Sequence, residues 1–551
     1  MPAIHSTSAQ VNKLFSIRNL YSQKFTSQKI QLLKTLYKQP VKNKTAIHLY
    51  ADTLHFLLAY PDNKILYLQT ARCLAQLESF IKSNKKIKES LYNSGITATS
   101  LCAAFSFEIA KWMRKEHPEN IRLISFEAKE GQIQSVLSVL MPKVESEIFQ
   151  DGNVSWRPWL QQSMKKGEDL LDRLIAVFDE TDIRPEVKDE LWNAIGINLE
   201  IDFPSATRLP HSMFTPYFHR SIIKKEAIKQ QPVIKIVRIN LNEKEAAQII
   251  DCSRMVLLRQ LREIDPVTFT AANLISYYRL DRGLSVALMS MRVERRHPID
   301  SYYGYVVFKN GLPVAYAGSW IFFDSARIGL NVFPAYRGGE SQYIFEQVLN
   351  LHRKVYKLKR FTVDPYQIGK ENSDGIHSGA FWIYYHAGFR PLNNELKKIA
   401  TKEAKKINMS AGYRTPVSIL KKLANSRAEL ILQKNAVNFD ATDISRAYAA
   451  ILKIKYDHKR MLVEEFAFKK LTGLLRIKNY HEPTLQYILK NWSILLLCLA
   501  DELEAKSRLK KELKKMFELK AFGAEEDYIV TMQQSNDLRL LLKKILKEFV
   551  P

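Results

Sequence analysis

Cysteine is nearly absent. The chain has four in 551 residues, at Cys73, Cys102, Cys252 and Cys498, far apart and without a CxxC pair. That spacing argues against a disulfide framework and a clustered zinc site. It fits a reducing compartment, so the expected location is the cytoplasm and no metal is expected. Long apolar runs are missing too. The longest, WSILLLCLA from Trp492, is about half of the roughly 18 residues a membrane span needs, and it reads as buried helix. The start, MPAIHSTSAQVNK, has no apolar core behind a basic segment, so no secretory signal is expected. There is no internal repeat and no low-complexity tract. His352, His377 and His386 are scattered and form no metal-ligand spacing.

What is present is a globular composition with a basic excess. Hydrophobic residues are 46% and charged residues 25%, and 551 residues exceed one ordinary core, so two to four domains are expected. The formal net charge is +26, and residues 396–551 hold 31 Lys/Arg against 18 Asp/Glu, a net of +13. A basic face of this kind suits RNA, another polyanion, an anionic membrane or an anionic cofactor. Lysines at helical spacing beside leucine stripes, as in RLKKELKKMFELK, equally read as a solvated helix surface.

Hydrophobic periodicity divides the chain. Residues 1–203 read as mostly helical, with Leu54, Leu57 and Leu58 at helical spacing before Pro61, and Leu66, Leu74, Leu77 and Ile81 on one face of the next stretch. Helices are also expected over ATSLCAAFSFEIAKWMRKE and WLQQSMKKGEDLLDRLIAVF, with one β-like piece, IRLISFEA, between them. Pro204, Pro210 and Pro216 mark 204–232 as a linker. From Val233 the pattern changes to strand (VIKIVRI), helix (Glu243 to Glu263), strand (LSVALMSMR) and then two β-rich runs flanking Asn310-Gly311, the dipeptide of a tight hairpin. A strand RIGLNVF, the turn FPAYRGG, a helix carrying Ile344, Val348, Leu351 and Val355, the strand RFTV and a short aromatic helix complete residues 233–395. Residues 396–551 form a basic helical region. The fold class expected is α+β: a central mixed sheet with flanking helices between mostly helical N- and C-terminal regions.

The stretch VFPAYRGGESQYIFEQVL, from Val332 to Leu349, places glycines between a strand and a helix. The unpaired N–H groups of a helix start, with about half a positive charge, attract phosphate, and glycine lets it approach the backbone. Together with the order of elements and with YYHAGF after the next strand, this stretch resembles the GNAT superfamily of N-acetyltransferases. In that family V-x-P-x-Y/F-R-G ends a central strand, and Val332, Pro334, Tyr336, Arg337 and Gly338 stand in that order. The family's later Asn and Y-x-x-x-G-F are matched by Asn372, Tyr384, Gly388 and Phe389. The likeness covers about 160 residues.

The resemblance implies an acyl-CoA-dependent N-acyltransferase with acetyl-CoA as co-substrate and an unidentified amine as acceptor. It implies donor binding by Val332, Phe333, Arg337, Gly338, Gly339, Ser341 and Asn372, with the oxyanion on a backbone N–H near Val332 or Phe333 and Tyr384 protonating the departing thiolate. Glu294, Asp324 and Asp364 are candidate bases, and the helical regions are expected to shape the acceptor site. Glu340 and Gln342 depart from the family's glycine pattern, and a carboxylate aimed inward from Glu340 would repel a pyrophosphate. Two further readings stand beside this one: a non-catalytic binding or scaffold protein on the same fold, and a transferase taking its acyl group from aminoacyl-tRNA.

Overall fold

In the computed structural model, residues 6–151, 154–223, 235–410 and 412–550 are described. The chain opens with four helices, α1 (Thr7–Ile17), α2 (Gln23–Lys38), α3 (Lys44–Ala59) and α4 (Lys64–Ser83). Short polar side chains start the last three: Ser22, Asn43 and Asn63 each accept from the backbone N–H three residues on. Their apolar faces do not close on themselves. Val11, Leu14, Leu33, Leu54, Leu57 and Leu74 join one core with the strands of the central sheet.

Residues 100–202 contain three antiparallel strands, β1 (Ser100–Ala104), β2 (Ile121–Phe126) and β3 (Ile197–Asp202), in the order β1-β3-β2. The sequence pattern gave one strand here and a helix over Ala98 to Glu116; the structure has a strand over 100–104 and then a helix, Phe107–Glu116, capped by Ser106. The second expected helix is broken in two, Trp156–Gln162 and Leu170–Glu180, around Gly167 with φ +90°. This unit has its own core, built on Trp156, Phe178, Trp192 and Leu199.

The central sheet has ten strands. These are β4 (Val237–Ile239), β5 (Ile275–Arg279), β6 (Leu284–Met289), β7 (Ser301–Lys309), β8 (Leu312–Phe322), β9 (Ser325–Ile328), β10 (Asn331–Val332), β11 (Arg360–Val363), β12 (Arg390–Pro391) and β13 (Ala428–Ile431). Their order is β12-β13-β11-β9-β8-β7-β6-β5-β4, with β10 paired to β8. The sheet is mixed, because β9 and β11 run parallel and the other pairs antiparallel. Asn310 and Gly311 turn the β7–β8 hairpin at φ +48° and +76°. The last part of the 204–232 linker and the start of the strand expected from Val233 lie outside the described residues. The strand at 428–431 lies beyond residue 395 in sequence, yet it pairs with both β11 and β12 inside the sheet.

Four more helices frame the site: α5 (Glu243–Leu258), α6 (Ser341–Tyr356), α7 (Ala380–His386) and α8 (Asn394–Met409). Helix α6 covers the sheet face that carries Tyr303 and Tyr305. His352 bonds Ser319 Oγ there (3.1 Å), and Tyr356 packs on Tyr303. After β13 the chain is helical to Phe549, and this bundle holds a separate core that takes in Phe322 and Phe323 from the β8–β9 turn. Among the described residues, no helix is long and apolar enough to cross a membrane.

Candidate functional site

The parallel pair β9/β11 opens part-way along. Arg360, Phe361 and Thr362 lie opposite Ser325, Ala326 and Arg327, and pairing then stops. On one side β9 ends at Ile328, the chain steps through Gly329 and Leu330, and β10 resumes against β8 alone. On the other side β11 ends at Val363 and Pro365 begins a helical turn, since proline has no N–H for a ladder. Two tyrosines fix the irregular step. The Tyr305 hydroxyl donates to Gly329 O, and the Tyr384 hydroxyl accepts the Leu330 N–H (3.2 Å). Tyr384 is buried, and burial raises its pKa, so it is protonated at neutral pH with its own hydrogen not used by Leu330.

Phe333 N–H donates to Val314 O (3.0 Å), so the amide of Phe333 is spent on β8 and is not a candidate oxyanion donor. Strand alternation turns Val332 the other way, toward the gap, where Arg337 Nε reaches its carbonyl (3.4 Å). The chain then makes one 3-10 turn, Pro334–Tyr336, passes Gly338 at φ +84° and enters α6 at Ser341. The first helical bond at this end is from Ile344 N–H to Glu340 O, which leaves Ser341, Gln342 and Tyr343 N–H without an acceptor inside the helix.

A cavity of about 630 Å³ lies on this turn. Gly338, Gly339, Ser341 and Gln342 form one wall, Trp382, Ile383 and His386 of α7 another, and Ile407, Tyr413 and Arg414 a third. Two polar atoms of its wall, Trp382 Nε1 and Gln342 Oε1, are buried and have no hydrogen-bond partner among the described residues. Tyr413 is held by its hydroxyl bond to the Glu403 carboxylate (2.6 Å).

Glu340 also lines this cavity, together with Ile223, but its charge is not left open to it. Its carboxylate is fully buried and takes bonds from Lys309 Nζ (2.8 Å), Arg282 Nη2 (2.5 Å) and the Ile223 N–H (3.1 Å). Burial pushes the carboxyl up, but Lys309 and the other neighbouring cations outweigh it and hold the group at about 2. Burial lowers the Lys309 ammonium to about 8, with Glu340 opposing, so both are charged at neutral pH. His219 is pushed down to about 2 by burial and is neutral. From the other side the N-terminal helices press on the turn, because a Cβ at Gly339 would sit 2.7 Å from the Tyr60 ring.

The fold thus brings Gly338, Gly339 and Ser341 to the cavity, and Val332 and Tyr384 to the gap. Arg337 is turned to Asp374, with both guanidinium Nη atoms on its carboxylate (2.8 and 2.6 Å). Asn372 caps the helix Ser373–His377, accepting from Gly375 N–H and donating to Tyr366 O. Asp324 is tied to Val437 N–H, Lys359 and Arg539 on the bundle side. Asp364 pairs with Arg327 and Arg427, and Glu294 with Arg292. Tyr305, Tyr413 and Arg414 join the site without any local motif to announce them. Among the described residues, no three His, Cys, Asp or Glu side chains come together as a metal site. Comparison with protein-family models, curated proteins and solved structures finds no match to the chain.

Proposed function

We propose that the protein is an acyl-CoA-dependent N-acyltransferase, with acetyl-CoA as donor and an amine as acceptor, on a GNAT-like central domain. The observation that carries this reading is the cavity floored by the Gly338–Gly339 turn and the α6 N-terminus, beside a gap between two parallel strands. Free amides of a helix start and Arg414 suit a diphosphate. The neighbouring gap suits the extended pantetheine arm. Glu340 lines the same cavity, but its carboxylate is fully buried and matched by Lys309 and Arg282, which weakens its repulsion of a phosphate.

In this reading the acceptor nitrogen attacks the thioester carbonyl and the new C–N bond forms. The oxyanion lies against the Val332 N–H. The C–S bond then breaks and the Tyr384 hydroxyl gives its proton to the sulfur, while the proton lost by the amine returns to Tyr384 through water. The commitment of Arg337 and Asn372 to internal partners favours the competing reading, a non-catalytic binding protein on the same fold. The aminoacyl-tRNA reading rests on the net charge of residues 396–551 alone, whereas a cavity carries the acyl-CoA reading.

Calorimetry with acetyl-CoA tests the proposal. Binding is expected in the range of about 1 µM to 1 mM that enzymes show for substrates. Tyr384→Phe should keep that affinity and lower release of free thiol by roughly 10²-fold. Binding with unchanged thiol release in Tyr384→Phe would assign this tyrosine to packing, and no binding at millimolar acetyl-CoA would leave the scaffold reading.

A further inference from the structure

Arg18 and Asn19 follow the first helix and touch a turn 319 residues away. Arg18 Nη2 donates to the carbonyl of Arg337 (3.2 Å), and Asn19 Nδ2 donates to the carbonyl of Gly338 (3.3 Å). Arg18 is itself held in place: Nη1 donates to Phe15 O (2.8 Å), and the guanidinium stacks 3.7 Å over the Phe15 ring. A trans peptide carries its C=O and N–H in opposite directions. With the Arg337 carbonyl drawn to Arg18, the Gly338 N–H points away from the N-terminal helices. With the Gly338 carbonyl drawn to Asn19, the Gly339 N–H also points away, and it closes the turn on Tyr336 O (3.2 Å). The side left over is the one that Gly338 and Gly339 present to the cavity.

We infer that Arg18 and Asn19 are positioning residues of the donor site. They hold two carbonyl oxygens on the far side of the turn, so that the turn offers the Gly338 N–H, and no carbonyl oxygen, to a diphosphate beside the amides that open α6. This rests on the acyl-CoA reading and adds to it. The N-terminal helices then belong to the donor site, whereas the family resemblance led to the expectation that the helical regions shape the acceptor site, and the chain selects a donor by its diphosphate as well as by its pantetheine. A turn released from both contacts is free to rotate the 337–338 peptide and set a carbonyl oxygen against the phosphate, which repels it.

Calorimetry of the full chain with CoA and with pantetheine, which lacks the diphosphate and nucleotide, tests the inference. Asn19→Ala and Arg18→Ala should each weaken CoA binding about tenfold, the loss that goes with one hydrogen bond to a charged ligand. Pantetheine affinity should stay within about twofold, since that ligand makes no phosphate contact. Arg18→Lys and Asn19→Gln should restore part of the CoA affinity. Arg18→Ala also removes stacking from the start of the chain; if it lowers the thermal midpoint, Asn19→Ala, nearer the surface, carries the result. Wild-type CoA affinity in Asn19→Ala, or an equal loss for pantetheine, overturns the assignment and leaves the acyl-CoA reading standing. Failure of the wild-type chain to bind CoA overturns both.

Discussion

A carboxylate at a helix start complements the dipole and repels any phosphate brought to the same amides. Glu340 stands at that position, and its effect depends on which way the side chain turns. Nothing local decides it. Lys309 ends β7, Arg282 lies in the β5–β6 turn and Ile223 belongs to the 204–232 linker, so its partners come from three segments remote in sequence. The group is held at about 2 against an ordinary 4.5, so between these values the unfolded chain binds more protons than the folded one. Its stabilisation is complete above about 4.5 and is lost as the pH falls toward 2. Glu340→Gln leaves Lys309 and Arg282 buried without their counter-charge and should cost about 3 kcal/mol at pH 7. The gap in thermal midpoint between wild type and Glu340→Gln should therefore be widest near pH 7 and narrow below about pH 4.5. A gap that is equal at pH 7 and pH 3 would show that this carboxyl titrates normally.

At the scale of elements, legibility follows the range of the interactions. The β7–β8 hairpin, the strand RFTV and helix α6 were readable because turn chemistry and periodicity are local. So were the cavity residues Gly338, Gly339 and Ser341, which sit within one strand–turn–helix unit. Strand β1 was hidden inside an apolar run that also suits a helix, and β13 is four residues whose strand character comes from partners on both sides. The commitments of Arg337 and Asn372 depend on Asp374 and Tyr366, and the clamp on the turn depends on residues 18 and 19, so neither has a sequence signature. The basic helix Ser507–Phe522 shows the same limit. Its leucines and Lys520 face the bundle core. Of its half-buried lysines, Lys510 bonds Glu504 O (3.1 Å) and Lys514 bonds Arg476 O (3.2 Å). These two ammonium groups are held against the bundle, and Glu512 and Glu518 interleave the exposed Lys511 and Lys515 with opposite charge. Replacing Lys510, Lys511, Lys514 and Lys515 by glutamine should leave tRNA retention on a native gel at about 50 mM salt unchanged. A clear loss of retention, with a flatter dependence of log affinity on log salt, would make this helix a polyanion site.

At the scale of the whole molecule, the helical parts are built into the sheet. One core runs from Val11 through the strands to Ile529, and the second closes over Phe322 and Phe323. Around that apolar contact the seam between sheet and bundle carries a set of hydrogen bonds. Arg296 donates to Lys520 O and Gly523 O, Trp492 to Pro298 O, Tyr528 to Ile299 O, and Gln533 to Phe323 O and Tyr356 O. Cutting the chain at residue 395, where the sequence pattern changes, would remove β13 and leave β11 an unpaired edge beside the site, with β12 unpartnered. It would also strip Arg427 from Asp364 and Glu429 from Arg360. An exposed edge of this kind invites pairing with other chains. A chain of residues 1–395 should accordingly be recovered only as aggregate. A chain of residues 1–440 keeps every strand and the Phe439 contact with Phe322 and Phe323 but loses the helices that complete their cover, so it should be more soluble than 1–395 and melt below the full chain. Soluble yield and thermal midpoint, measured side by side, decide the matter: a folded, soluble 1–395 would show that β13 is an accessory to the sheet, whereas solubility that returns only with residues 396–440 makes it part of the folding unit on which the site is built.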